Sequence, residues 1–147
     1  MPEPLHRAFL RIALASTAAD DLNRMEALLA GSAWKPIQVS TCSEAALTVS
    51  HLRVPIVVCE VGFENRPWRD TLGLLLKARS RACVILLCSE SDRALSFEVA
   101  RREGVGLLFR PLVRRQVFHS LFFAYCRYML DWPTGYLNAL RTAAQGG

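Results

Sequence analysis

Short apolar runs alternate along this chain with segments in which apolar residues recur at helical spacing. The runs Ile12-Ala-Leu-Ala15, Ile37-Gln-Val39, Ile56-Val-Val-Cys59, Val84-Ile-Leu-Leu-Cys88 and Leu107-Leu-Phe109 read as five strands. Unbroken apolar character is what a parallel sheet covered on both faces requires, because both sides of each strand are buried. After the first run, Leu22, Met25, Leu28 and Leu29 keep a helical period behind Asp20-Asp21, which favour a helix N-terminus by capping and by the macrodipole; Gly31 lies near the stop. Ser43-Glu44 opens a short helix through Ala45, Ala46, Val49 and Leu52, and Pro55 marks the start of the next strand. A third helix, Trp68 to Lys77, carries Leu72, Leu75 and Leu76. A fourth, capped by Ser91-Asp92, carries Leu95 and Val99 and stops near Gly104. The last starts after Pro111 and runs to about Leu130, and Pro133 prevents its continuation. Five β-α units with right-handed crossovers give an α/β fold: a three-layer αβα sandwich around a doubly wound, five-stranded parallel sheet.

With 147 residues, the chain is long enough for one well-buried core and too short for two ordinary domains. Residues 1–130 read as that domain. Residues 131–147 read as a tail in which Tyr136, Leu137 and Leu140 suit a short helix. The composition, 52% hydrophobic and 21% charged, is far from that of disorder. Arg and Lys interrupt every run before it reaches the roughly 20 apolar residues of a membrane span. The start, Met1-Pro-Glu-Pro-Leu-His-Arg7, has no apolar signal segment, so a cytoplasmic protein is expected. The five cysteines form no Cys-x-x-Cys pair; they read as small buried hydrophobes, and no zinc site is supported. The net charge of +5 is carried mostly by arginine, since Lys35 and Lys77 are the only lysines. Arg79/Arg81, Arg101/Arg102 and Arg114/Arg115 fall at predicted helix ends, where solvated basic residues need no partner, and that reading is preferred over nucleic-acid binding.

Particular residues narrow the choice among α/β families. Val57-Val-Cys-Glu60, followed by Trp68-Arg-Asp-Thr-Leu72, resembles the third strand and following loop of bacterial response-regulator receiver domains. Val84-Ile-Leu-Leu-Cys-Ser89 resembles their fourth strand, and Ala100 to Pro111 resembles the segment that ends in the family's Lys-Pro. The match spans roughly residues 9 to 130. It implies the (βα)5 flavodoxin-like receiver fold and a part in two-component or phosphorelay signal transduction. In that family, two acidic residues after the first strand and a phosphoacceptor Asp after the third hold Mg²⁺, a Thr or Ser ends the fourth strand, and a Lys ends the fifth. Carried over by position, the acidic pair falls on Ser16 and Thr17, the acceptor on Glu60, the hydroxyl on Cys88 and the lysine on Arg110, so all five are substituted. Asp20 and Asp21 fall about a turn later, inside the helix start. Leu107 occupies the place of the aromatic switch residue. The resemblance is therefore to a degenerate, pseudo-receiver type.

Magnesium prefers near-octahedral oxygen ligands, and two hydroxyls with one Glu are a poor substitute for its carboxylates. Phosphoryl transfer rests on positioning and charge neutralisation, so no appreciable phosphorylation is expected, no metal or cofactor is assigned, and the chain is not read as an enzyme. Glu60 has two readings: paired to both donors of the Arg110 fork as a standing imitation of a phosphorylated residue, or an ordinary strand-end carboxylate. Arg110-Pro111 would be cis, as in the family, or a trans proline that opens the last helix. Ser16, Thr17 and Cys88 are pocket lining, and Cys88 could be a redox-sensitive thiol only if Arg110 lowered its pKa. His6, His51 and His119 are too scattered for a metal site. The glycine-rich and nucleophile signatures of α/β enzymes do not occur.

The last helix is apolar on two sides. Val117, Leu121, Ala124 and Tyr128 make one face, and Phe118, Phe122, Tyr125 and Met129 make a second. The second awaits a partner, such as another copy in a homodimer of the receiver type, or else Trp132, Tyr136, Leu137 and Leu140 of the chain's own tail. The function expected is signal transduction by protein-protein contact with a kinase or effector, weighed against two alternatives: a flavodoxin-like small-ligand domain, and a conventionally phosphorylated regulator with a rearranged metal site.

Overall fold

Five parallel strands form one sheet in the computed structural model, which describes residues 10–52, 54–65, 67, 70–71, 73, 82–103 and 105–130. The strands are β1 (Leu10–Ala15), β2 (Trp34–Val39), β3 (Ile56–Glu60), β4 (Cys83–Cys88) and β5 (Gly106–Phe109). The described helices are α1 (Ala19–Leu29), α2 (Cys42–His51), α3 (Arg93–Glu103) and α4 (Arg114–Met129), with 3₁₀ turns at Phe63–Asn65 and Glu90–Asp92. The sheet order is β2-β1-β3-β4-β5, the doubly wound arrangement expected from the β-α alternation. The order reverses between β1 and β3, which pair in register from Ile12 opposite Ile56 to Ala15 opposite Cys59. Their carboxyl ends therefore open the crevice that such sheets use as a site.

Alternation along the strands divides the core in two. Ile12, Leu14, Ile56, Val58, Ile85 and Leu87 pack under Met25 and Leu29 of α1 and Val117, Leu121 and Ala124 of α4. Ala13, Ala15, Val57, Cys59, Val84, Leu86 and Cys88 pack on the other face against Cys42, Ala45 and Val49 of α2 and against Phe63. A buried side chain of the size of Leu121 contributes about 1.5–3 kcal/mol by leaving water. Both layers are continuous, which is why the strands read as unbroken apolar runs.

Several boundaries differ from the pattern reading, each for a local reason. β2 begins at Trp34, earlier than Ile37, and contains Pro36. Among the described strands only β1 pairs with it, so it is an edge strand where a missing N–H is tolerated. β3 runs on to Glu60, which lies opposite Leu87. The α1 N-cap is Ala18, with no side-chain cap, so Asp20 and Asp21 sit in the first turn and contribute through the macrodipole, not by capping. α2 is capped by Thr41, whose Oγ1 accepts from Glu44 N at 3.0 Å, while the Glu44 carboxylate accepts from Ser40 N at 3.0 Å. Leu52, the last residue of the expected helix, is its C-cap and is exposed. The capping box before α3 is Ser89 with Asp92, ahead of the expected Ser91-Asp92 start.

After β3 the chain turns through Gly62, Glu64 and Asn65, all with positive φ. Glu64 at φ 58° is a costly conformation for that residue, held where its carboxylate accepts a 2.5 Å bond from Cys42 N at the start of α2. Within the predicted helix from Trp68 to Lys77 only Asp70, Thr71 and Gly73 are described, and all three are helical; its other residues and the tail 131–147 lie outside the described residues, as do the side chains of Leu95 and Val99. No described helix is long and apolar enough to cross a membrane.

Candidate functional site

Four elements deliver side chains to the crevice. Ser16 leaves β1, 2% exposed, and Glu60 ends β3 on the α1/α4 side of the sheet, two residues beyond Val58. Asp21 lies on α1 in one stripe with buried Met25 and Leu29. Arg110 follows β5, where its backbone N donates to the Cys88 carbonyl at 2.9 Å, and the Arg110–Pro111 peptide is cis, as the resemblance implied.

The Arg110 guanidinium binds two carboxylates at once. Nε donates to Asp21 Oδ1 at 3.1 Å and Nη2 to Asp21 Oδ2 at 2.7 Å, a two-pronged grip. Nη2 also donates to Glu60 Oε2 at 3.0 Å. Thr17 donates to Glu60 Oε1 from its backbone N at 2.8 Å and from Oγ1 at 2.7 Å. The Ser16 hydroxyl donates to Asp21 Oδ2 at 2.5 Å, lies 3.3 Å from Glu60 Oε2, and accepts from Ala18 N at 3.1 Å. Every oxygen of the two carboxylates thus faces a donor. Of the two readings of Glu60, the geometry matches the pairing with Arg110 in part: the fork is spent on Asp21, and Glu60 receives a single bond from it.

Asp21 was not among the residues singled out from sequence. The signal was present in the spacing, since Asp21, Met25 and Leu29 recur every fourth residue and the last two are core positions. A carboxylate on that stripe has to meet a partner inside the fold. Burial alone would raise the Asp21 pKa; the Arg110 donors, the Ser16 hydroxyl and the Arg110 charge outweigh it and hold the carboxyl below its ordinary value. Bonding to Asp21 in turn holds Arg110 firmly protonated.

The other expected residues separate. Thr17 is exposed and anchors Glu60. Pro111 is exposed beside an open groove lined by Asp20, Asp21, Asn23, Arg24, Ala27, Arg110, Pro111 and Leu112. Across that groove Arg24 donates from Nε and Nη2 to the Leu112 carbonyl, at 3.3 and 3.2 Å, tying α1 to the β5–α4 connection. Cys88 is not lining on the carboxylate side: it is fully buried on the α2 face, and its Sγ donates to Leu86 O. Strand alternation puts it opposite, with Val84 and Leu86. The next hydroxyl, that of Ser89, bonds to Asp92 at 2.9 Å. Burial, with the neighbouring Cys42 and Glu60, pushes the Cys59 thiol up to about 12, and burial also raises Cys83. Both are inert thiols. His51 and His119 are exposed, and His6 lies outside the described residues.

The residues present do not fit the magnesium ion of the receiver family. Mg²⁺ would need carboxylate oxygens as ligands, and here each of those oxygens accepts from a hydroxyl, an amide or the guanidinium, whose charge repels a second cation. Among the described residues, no group of three or more His, Cys, Asp or Glu converges to hold a metal.

On α4, Val117, Leu121 and Ala124 are buried as expected. The second stripe divides. Phe118 and Tyr125 pack partly onto the core, Tyr125 meeting Trp34 edge to face at 5.6 Å, while Phe122 and Met129 are 69% and 63% exposed. Phe123, 61% exposed, joins them. Residues 132–140, the alternative cover, lie outside the described residues.

No protein-family model matches the chain, and no curated protein matches it. Solved structures do match. A signal receiver domain from Vibrio parahaemolyticus superposes with a TM-score of 0.72 at 13% identity, over 84% of this chain and 95% of that one. A response regulator receiver domain from Clostridium thermocellum gives 0.70 at 16% identity, over 83% and 98%. The N-terminal receiver domain of a two-component response regulator from Bacteroides fragilis gives 0.68 at 15% identity, over 78% and 94%. The chain has the fold of these receiver domains.

Proposed function

We propose that this chain is a degenerate receiver domain that acts in two-component or phosphorelay-type signalling through protein-protein contact, without phosphorylation. Its partner is a kinase or effector, its compartment the cytoplasm, and it catalyses no reaction of its own. The observation that carries this reading is the closed set of bonds among Arg110, Asp21 and Glu60. A phosphoryl group on Glu60 would need an accessible carboxylate oxygen and a cation beside it. Here one oxygen is held by two donors of Thr17, and the other faces Arg110. The positioning and charge neutralisation on which phosphoryl transfer depends are taken up by the protein itself.

The test is incubation with acetyl phosphate and Mg²⁺ and then intact mass measurement. The mass stays unchanged on this reading, and an added phosphoryl group on Glu60 or a neighbouring Asp overturns it.

Contact with a second copy through α4 belongs to the same proposal. The exposed Phe122, Phe123 and Met129 support it. Elution at several protein concentrations, with and without residues 132–147, checks it: concentration-dependent dimers are expected in both forms. Strictly monomeric elution of the shortened form would leave the face to some other partner.

The groove between α1 and the β5–α4 connection favours one second reading, a small-ligand domain. Melting shifts with nucleotides, flavins or cyclic dinucleotides would support it, and a flat screen would count against it.

A further inference from the structure

We infer that the Arg110 guanidinium is the crevice's permanent cation: it stands between Asp21 and Glu60 and so keeps divalent metals out, and removing it uncovers a divalent-cation site made by those two carboxylates. The inference deepens the proposed function by naming what fixes the state of the crevice, and it rests on that reading only in taking the crevice as the site that matters.

The geometry is that of a chelated ion. Nη2 lies 2.7 Å from Asp21 Oδ2 and 3.0 Å from Glu60 Oε2, so one nitrogen bridges carboxylates from α1 and β3. Those two oxygens also converge on the Ser16 hydroxyl, at 2.5 and 3.3 Å. Asp21 and Glu60 side chains are only 8% and 11% exposed, whereas Arg110 is 33% exposed and enters from outside through the turn after β5. Two buried anions need a cation between them, because like charges this close repel and their desolvation is otherwise uncompensated. The chain supplies it covalently. A tethered guanidinium has no dissociation to solvent to overcome, so a divalent ion at millimolar concentration has to displace a charge that never leaves. The state of the crevice is therefore independent of the metal content of its surroundings.

Without that tethered charge the two carboxylates repel and the fold is destabilised, yet Asp21 is still tied to α1 and Ser16, and Glu60 to the two donors of Thr17, so both stay at the crevice. Two carboxylates and a hydroxyl then face one another across a space open to water, a donor set that hard divalent cations accept.

Mn²⁺ is the probe, read by water-proton relaxation and by thermal melting of the full chain. Wild type shows no saturable relaxation enhancement, and its melting midpoint does not move. Arg110→Ala melts lower in metal-free buffer, binds Mn²⁺, and at about a hundredfold excess over its dissociation constant regains roughly 5 °C or more. Arg110→Ala combined with Asp21→Asn loses that response. Arg110→Met, which retains the stem of the side chain, gives the same answer if the alanine variant does not fold. Saturable binding to wild type overturns the inference, and so does a folded Arg110 variant that ignores Mn²⁺. Failure here is separable from failure of the proposed function. A phosphoryl adduct on wild type sinks the latter, whereas an Arg110 variant that binds metal and takes up no phosphoryl group supports both.

Discussion

Asp21 turns a helix-start acid into an internal anion because its position on α1 is a core position. Its exposure is 6%, and its two oxygens take three donors, two from Arg110 and one from Ser16. Removing the charge with Asp21→Asn leaves Arg110 holding only Glu60. With Arg110 one-third exposed and partly screened, the expected loss is about 1–2 kcal/mol, read from the urea midpoint near neutral pH. The pH dependence has a definite sign. The folded-state pKa of Asp21 is depressed, so the stability it contributes is fully present above its unfolded value of about 3.9 and is lost as pH falls through the lower folded value. Wild type therefore loses more stability on acidification below about pH 4 than Asp21→Asn does. An equal loss in both proteins would show that Asp21 is not the group responsible. At this scale the sequence was least legible. Glu60, Ser16, Thr17 and Arg110 could be placed by their positions at strand ends, but which carboxylate the Arg110 fork would take depends on side-chain reach across α1, β3 and β5. Cys88 was assigned to the pocket from the family's position, whereas the two-residue period it shares with Val84 and Leu86 turns it to the α2 face.

At the scale of elements, α4 carries two kinds of apolar residue that composition cannot tell apart. Leu121 is fully buried in the core layer beneath α1 and α4, while its neighbours Phe122 and Phe123 face outward. Leu121→Ala is expected to cost about 2–5 kcal/mol in chemical unfolding, since it opens a cavity in the core layer beneath α1 and α4. Phe122→Ser is expected to change monomer stability by less than about 0.5 kcal/mol and to weaken self-association, measured by sedimentation as a shift toward monomer. Large destabilisation by Phe122→Ser would mean that something within the chain covers it. The helical period separated these faces correctly at Val117, Leu121 and Ala124. It could not foresee that Trp34, at the start of an edge strand, would reach across to cover Tyr125. Contacts between distant elements leave no local trace.

For the whole molecule, the architecture was legible because it rests on the most redundant signal in the chain. Five apolar runs and their order fix a parallel sheet, and crossover handedness restricts the topology, so the β2-β1-β3-β4-β5 arrangement holds even where individual ends move by up to three residues. β2 moved most, since an edge strand with Lys35, Pro36 and Gln38 has little apolar pattern to show. The same redundancy explains how the fold superposes on receiver domains at 13–16% identity.

The distribution of sulfur through the sheet layers gives this molecule an internal clock. Cys42, Cys59, Cys83 and Cys88 are buried, Cys126 is only partly so, and burial pushes the Cys59 thiol up to about 12, which keeps it protonated at neutral pH. Under a mild alkylating reagent, Cys126 should be modified first, and the others only when their surroundings breathe. Cys83 reports on the side of α1 and α4, whereas Cys42, Cys59 and Cys88 report on the side of α2. Counting adducts over time by mass would reveal which half of the sandwich opens more readily, without introducing a single label.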